Sequence, residues 1–254
     1  MAFDAAVIAA RITAGADLVG SGFPRELSQI APLTLPISIT MFPNLTTDDV
    51  AQALAKASVK AGRPIRNRRL RGCLVAHHGR GIIFLDEDDP ALQRFALAHE
   101  LSHFVGHYLA RRELAIARMG LGIVEVLDGL RPSTPQERLA GILSGCPLGA
   151  FADLMEREGG IPLSAEAEIM EYEADEAAFL ALAPIGIVIA ETTERFGRID
   201  RSTVTQALTE VFGLSDSDAN RHAPRIVNAA ARNKPSFISQ LRKAASDIKD
   251  ERHR

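Results

Sequence analysis

The chain has 254 residues, 46% of them hydrophobic but only 5% aromatic, with no Trp. That is enough for one large domain or two small ones with a well-filled core, and the alanine-rich, aromatic-poor composition leans helical. A net charge of −3 argues against nucleic acid as a partner through bulk charge. The cysteines, Cys73 and Cys146, cannot make a disulfide framework and suit a reducing cytoplasm. The start, MAFDAAVIAARITAGA, interrupts its apolar run with Asp4 and Arg11, unlike a signal peptide. The longest apolar run, FLALAPIGIVIA at 179–190, is too short for a bilayer and is broken by Pro184. The expectation is a soluble cytoplasmic protein with no membrane partner.

Along the chain, 36–45 (PISITMFPNL) reads as a short strand. TTDDVAQALAKASVKAG follows as a helix with Thr47 as N-cap, acids in its first turn and Gly62 as its stop. Arginines 63, 66, 68, 69 and 71 come next, in a solvated loop leading into an edge strand or as a surface for an acidic partner. GCLVAHHGRGIIFLDE reads as a β-hairpin, with strands at 72–76 and 82–85 around the turn HHGRG. Asp88 or Asp89 before Pro90 starts a helix expected to run from about 90 to 112. Residues 112–163 read as a helical stretch punctuated by RPSTP, SGCPLG and EREGGIP. Ser164 caps a helix that Pro184 ends, and several short helices and a charged, frayed tail complete the chain. The fold class expected is α+β, mainly helical, with a small antiparallel sheet packed on the 90–112 helix. The division expected is a domain over 1–188, with 112–163 as a helical insertion or lid, and a helical C-terminal module over 189–254.

The chemistry concentrates in RFALAHELSHFVGH at 94–107. His99, His103 and His107 recur at steps of four, and Glu100 follows the first. Positions i and i+4 of a helix share a face, so His99 and His103 can direct both imidazoles at one ion. Glu100 is placed to hold and deprotonate a metal-bound water, the HExxH arrangement of zinc peptidases. Chance alone produces HExxH about once in a hundred chains of this composition, so the preceding hairpin, cap and apolar approach carry part of the weight. The competing view is a helix whose histidines are surface or satisfied core groups.

A catalytic zinc needs a third protein ligand and an open position. His107 lies about 12 Å along a straight helix from His99, too far to share the ion. A chain reversal at Gly106, as in HExxHxxGxxH, would require a histidine where Leu109 stands. His107 is therefore expected at a helix end or behind a ligand, supporting it without touching the metal. EYEAD at 171–175 supplies the alternative. Glu171 and Asp175 share a helix face, so Glu171 can reach the metal while Asp175 accepts a hydrogen bond from the far nitrogen of a ligand histidine. Ala174 and Ala178 let the two helices approach, Glu173 points away, and Glu168 is the reserve ligand. An acidic, solvated helix face is the competing view.

GIIFLDEDDPALQRFALAHELSHFVGH resembles the strand-plus-active-helix segment of the ImmA/IrrE-type metallopeptidases, and EYEADEAAFLALAP resembles their later helix. The resemblance covers about 60–110 and 165–185. It implies a zincin-like domain with His99, His103 and Glu171 as zinc ligands and Glu100 as base. It also implies hydrolysis of a peptide bond in a cytoplasmic regulatory protein, such as a helix-turn-helix repressor or an antitoxin-like partner. Three features depart from the family: the 68 residues from His103 to Glu171, Ser102 before the second histidine, and Ala177 late in the second motif. EYEAD also resembles the motif of integral-membrane Glu-zincins, a group that the lack of spans disfavours.

LTEVFGLSDSDANRHAPRI at 208–226 can be laid on a helix-turn-helix, with Gly213 in the turn, Ser215 as cap and Arg221 as an exposed reader, or on an ordinary helical hairpin. His77, His78 and Tyr172 are candidates for oxyanion stabilisation without a sequence basis for choosing among them. Cys73 reads as a small core residue. The strand at 82–85 is the expected edge for an extended substrate. The functional alternative to a peptidase is a non-catalytic metal-binding regulator, or partner-binding module, acting through the C-terminal helices.

Overall fold

The computed structural model describes residues 3–20, 22–56, 67–144, 150–156 and 164–233. The expected stop at Gly62, Arg63, Arg66, Cys146 and the charged tail lie outside them. In chain order come α1 (Ala5–Ile12), α2 (Leu27–Ile30), strand β1 (Ile37–Met41), α3 (Thr47–Lys56) and the hairpin β2 (Leu70–His77) and β3 (Arg80–Leu85). Then α4 (Pro90–Ser102) continues into a π-helical segment, His103–Leu109, and α5 (Ala110–Met119). After α6 (Val124–Leu127), α7 (Pro135–Ser144) and strand β4 (Phe151–Glu156) come α8 (Ala165–Leu182), α9 (Ile185–Phe196), α10 (Arg201–Glu210) and α11 (Asp216–Asn233).

The class is α+β, but the sheet corrects two expectations. Its order is β1-β3-β2-β4. It is mixed rather than antiparallel: β1 runs parallel to β3, while β2 pairs antiparallel with both β3 and β4. The strand at 82–85 is therefore interior, and the edges are β1 and β4. β2 is not an edge either. The 112–163 stretch is not wholly helical, because it contains β4. That strand is short and bounded by glycine and proline, so the breakers mask it in the sequence.

Local chemistry explains the boundaries that matter for the site. His78 and Gly79 both take positive φ, 52° and 74°, as a two-residue type I′ hairpin turn requires. Asp89 caps α4 by accepting from the Ala91 and Leu92 amides at 2.8 and 3.0 Å, with Pro90 in the first turn. The α3 cap falls one residue before the expected Thr47. Thr46 Oγ1 accepts from the Asp49 amide (3.3 Å), and the Asp49 carboxylate accepts from the Thr46 amide (2.9 Å). Ser164 caps α8 through the Ala167 amide at 3.1 Å.

One continuous apolar cluster joins Ile12 and Ile30 to Leu74 and Ile83 of the sheet, Leu101 of α4 and Phe104 of the π-helical segment, Phe179 of α8, and Leu208, Phe212 and Ile226 of the last helical stretch. The core thus runs through both sides of the 188/189 boundary drawn from sequence. Cys73 belongs to a smaller cluster with Leu45, Val50, Leu54 and Leu70. α8 packs on α4 and α1 through a face of small residues, Ala174, Ala177, Ala178 and Ala181, all fully buried. Among the described residues no single helix is long and apolar enough to cross a membrane. The α8–α9 pair meets the length and composition of a broken span across a 46° bend, but Ala174, Ala177, Ala178, Phe179, Ala181, Leu182, Ala183 and Val188 are buried in the protein.

Candidate metal centre

The capped start of α4 sets the phase that stacks His99 and His103 on one face, and their Nε2 atoms lie 3.0 Å apart. From α8, Glu171 brings Oε2 to 3.3 Å from His99 Nε2 and Oε1 to 3.6 Å from His103 Nε2. From β4, Asp153 brings Oδ2 to 3.7 Å from His103 Nε2. The donor atoms of these four residues all lie within 4.8 Å of one another, so the group could hold a metal ion. Glu168 is exposed and outside the group. Sequence reasoning missed Asp153; its signal was the alternation Phe151, Asp153, Met155 inside the punctuated stretch.

Each histidine is braced from behind. His99 Nδ1 lies 2.9 Å from Asp175 Oδ1 and donates to it, since a carboxylate only accepts. Arg221 of α11 donates to the other oxygen of Asp175 at 2.9 Å and to Asp218 at 3.0 Å, and its guanidinium lies over the Phe95 ring. His103 Nδ1 lies 3.0 Å from His107 Nδ1, and His107 Nε2 lies 3.0 Å from Glu173 Oε2. Glu173 therefore does not point away as expected. The buried stripe of α8 is centred on Ala174, Ala178 and Ala181. At about 100° per residue, Glu171 and Glu173 flank that stripe from opposite sides, and their long side chains reach round it to different histidines.

Glu100 is fully buried, and among the described residues neither carboxylate oxygen finds a hydrogen-bond partner; the Leu74 amide favours the ionised form without hydrogen-bond geometry. Glu100 lies against β2, where a Cβ on Gly72 would come 3.0 Å from Oε1. Burial pushes the Glu100 carboxyl well above its usual range, with Asp153 and Glu171 adding and His99 opposing. Asp153 is raised to about 6, by burial first and then by Glu171. Burial works against a charged His99, yet hydrogen bonds to Asp175 and Glu171 and the Glu100 charge outweigh it and raise the ring to about 10. Burial, then His99 and His107, holds His103 well below the usual range. Two imidazole nitrogens face to face at 3.0 Å, flanked by the carboxylates of Glu171 and Asp153, need a shared proton or a cation between them. Imidazole and carboxylate donors suit a divalent transition-metal ion.

The remaining candidates lie elsewhere or are otherwise engaged. His77 stacks on His78 at the hairpin turn, and His78 Nε2 contacts the Asp128 carbonyl at 3.1 Å. Tyr172 is exposed. Burial pushes the Cys73 thiol up, away from reactivity. Arg69 donates to Asn44, and Arg71 pairs with buried Glu87. Gly213 does take the positive φ of a turn (66°) and Ser215 does cap α11. Arg221, which the helix-turn-helix pattern offers to DNA, is instead bound to Asp175 and Asp218. Compared with known proteins, the chain matches no protein-family model and no curated protein sequence.

Proposed function

We propose that this chain is a zinc-dependent endopeptidase with a zincin-like fold, of the ImmA/IrrE kind its sequence resembles. Its expected substrate is a cytoplasmic regulatory protein, such as a helix-turn-helix repressor or an antitoxin-like partner. The observation that carries this reading is the convergence of His99, His103 and Glu171 beside a fully buried glutamate without hydrogen bonds. A zinc ion held by those ligands would supply a Lewis acid for a scissile carbonyl. Glu100, made a strong base by burial, takes the proton of the attacking water and returns it to the leaving amine. Asp175 holds the His99 ring in place. β4, the sheet edge at the ligand group, replaces β3 as the strand on which an extended substrate adds.

One observation favours a second reading. Asp153 belongs to the same donor group, and a fourth protein ligand would close the site as in structural zinc centres. The chain would then be a metal-binding regulator or partner-binding module that cleaves nothing. Glu100→Gln separates the two. On the peptidase reading it keeps one equivalent of zinc and the wild-type melting temperature. It loses cleavage of the regulator encoded beside its gene, or of a quenched peptide library, by about 100-fold or more. Full cleavage by the variant would end the peptidase reading, and unchanged biological activity without any cleavage would favour the second.

A further inference from the structure

We propose that His107 is a positioning residue: anchored by Glu173, it keeps the His103 proton on Nδ1 and so leaves the Nε2 lone pair facing the metal. The inference rests on the metal-binding part of the proposed function and not on peptide cleavage.

The argument is one of donors and acceptors. A histidine ligates through a bare nitrogen, and the His103 atom facing His99, Glu171 and Asp153 is Nε2. If Nε2 is bare in a neutral ring, the proton must sit on Nδ1. Among the described residues that N–H has one neighbour at hydrogen-bond distance, His107 Nδ1 at 3.0 Å, which must then accept. A ring that accepts at Nδ1 carries its proton on Nε2, and His107 Nε2 lies 3.0 Å from the Glu173 carboxylate, which only accepts. The three groups are satisfied together in one proton arrangement, and it is the arrangement that ligation needs. With the protons reversed, His103 would aim an N–H at the ligand group.

The fold protects this relay. His103 and His107 both lie in the π-helical segment, and His107 is 1% exposed. Phe3 stacks on its ring at 4.9 Å and 22°. Gly106 admits Phe3, because a Cβ there would come 2.3 Å from the Phe3 ring. Both ring nitrogens of His107 are engaged, so it does not compete for the ion.

Two substitutions separate positioning from packing. His107→Gln keeps an oxygen to accept from His103 and an N–H to donate to Glu173. His107→Phe keeps the ring and its stacking on Phe3 but cannot accept. Zinc affinity, measured by competition with a chromophoric chelator, is expected within about threefold of wild type for Gln and about 10- to 100-fold weaker for Phe. Long-range ¹H–¹⁵N spectra should show the His103 proton on Nδ1 in the wild type and lost from that site in His107→Phe. A His107→Phe variant with wild-type affinity, or a wild-type His103 protonated on Nε2, overturns the proposal. A wild type that binds no zinc yet carries the His103 proton on Nδ1 ends the metal reading and leaves the relay standing.

Discussion

His99 and His103 meet across 3.0 Å, but what stands behind them differs. Behind His99 is a carboxylate, Asp175, itself tied to Arg221 on the half-exposed flank of α11. Behind His103 is a second imidazole, His107, buried under Phe3 and anchored on Glu173. A direct carboxylate partner makes the His99 ring more basic and draws positive charge to it. A neutral imidazole partner orients His103 without adding charge. The pair thus offers one electron-rich donor and one donor whose basicity burial has lowered, and only the first depends on the C-terminal helices.

Removing Asp175 should have the largest effect on this contrast. Asp175→Ala leaves the His99 N–H without its acceptor and is expected to weaken zinc binding about 10- to 100-fold by chelator competition, with Asp175→Asn intermediate. Equal affinity in Asp175→Ala and wild type would remove the distinction between the two braces.

A middle-sized effect concerns the element that carries Arg221. Its neighbour His222 is buried, stacked flat on Phe179 at 3.9 Å, with no hydrogen bond at Nε2. Burial, helped by Arg221 and Arg225 and opposed by Asp175, lowers its pKa to about 4. The unfolded chain therefore takes up this proton first. The contribution to stability is complete above pH ~6.5 and is lost as pH falls from there toward about 4. Discounted for solvent screening, the loss is about 2 kcal/mol. Denaturant unfolding at pH 7 and pH 4.5 should show a shallower acid loss in His222→Leu than in wild type; parallel losses would mean that α11 is not docked through a neutral His222.

Arg221→Gln should have the smallest effect. The guanidinium is half exposed, so its pair with Asp175 is worth about 1 kcal/mol or less, a few-fold in zinc affinity by the same titration. A loss as large as that of Asp175→Ala would make α11 an integral part of the His99 brace.

Much of the fold near the site was legible because its signals are local. Asp89 before Pro90, the His78-Gly79 turn and the Ser164 cap are set by hydrogen bonds within three residues, so the elements they bound could be read directly. Glu171 and Asp175 were legible as a pair because i and i+4 share a face. Asp153 was not, because its strand is defined by pairing with β2 across about 80 residues of chain. Glu173 was misplaced because a helix shows its own periodicity but not the line along which a neighbour packs. Taking Glu171 and Asp175 as the centre of that line turned Glu173 outward, while the buried alanines put the centre at Ala174.

By itself the sequence determined that one continuous helical stretch carries His99, Glu100 and His103 on neighbouring positions, that a second helix carries Glu171 and Asp175, and that small residues let helices meet there. Only the tertiary structure decided the parallel pairing of β1 with β3, the entry of Asp153 from an edge strand and the burial of His107 between His103 and Glu173. The reason is range. Backbone hydrogen bonds and caps act within a turn, whereas helix approach and strand pairing depend on core packing among residues far apart in the chain.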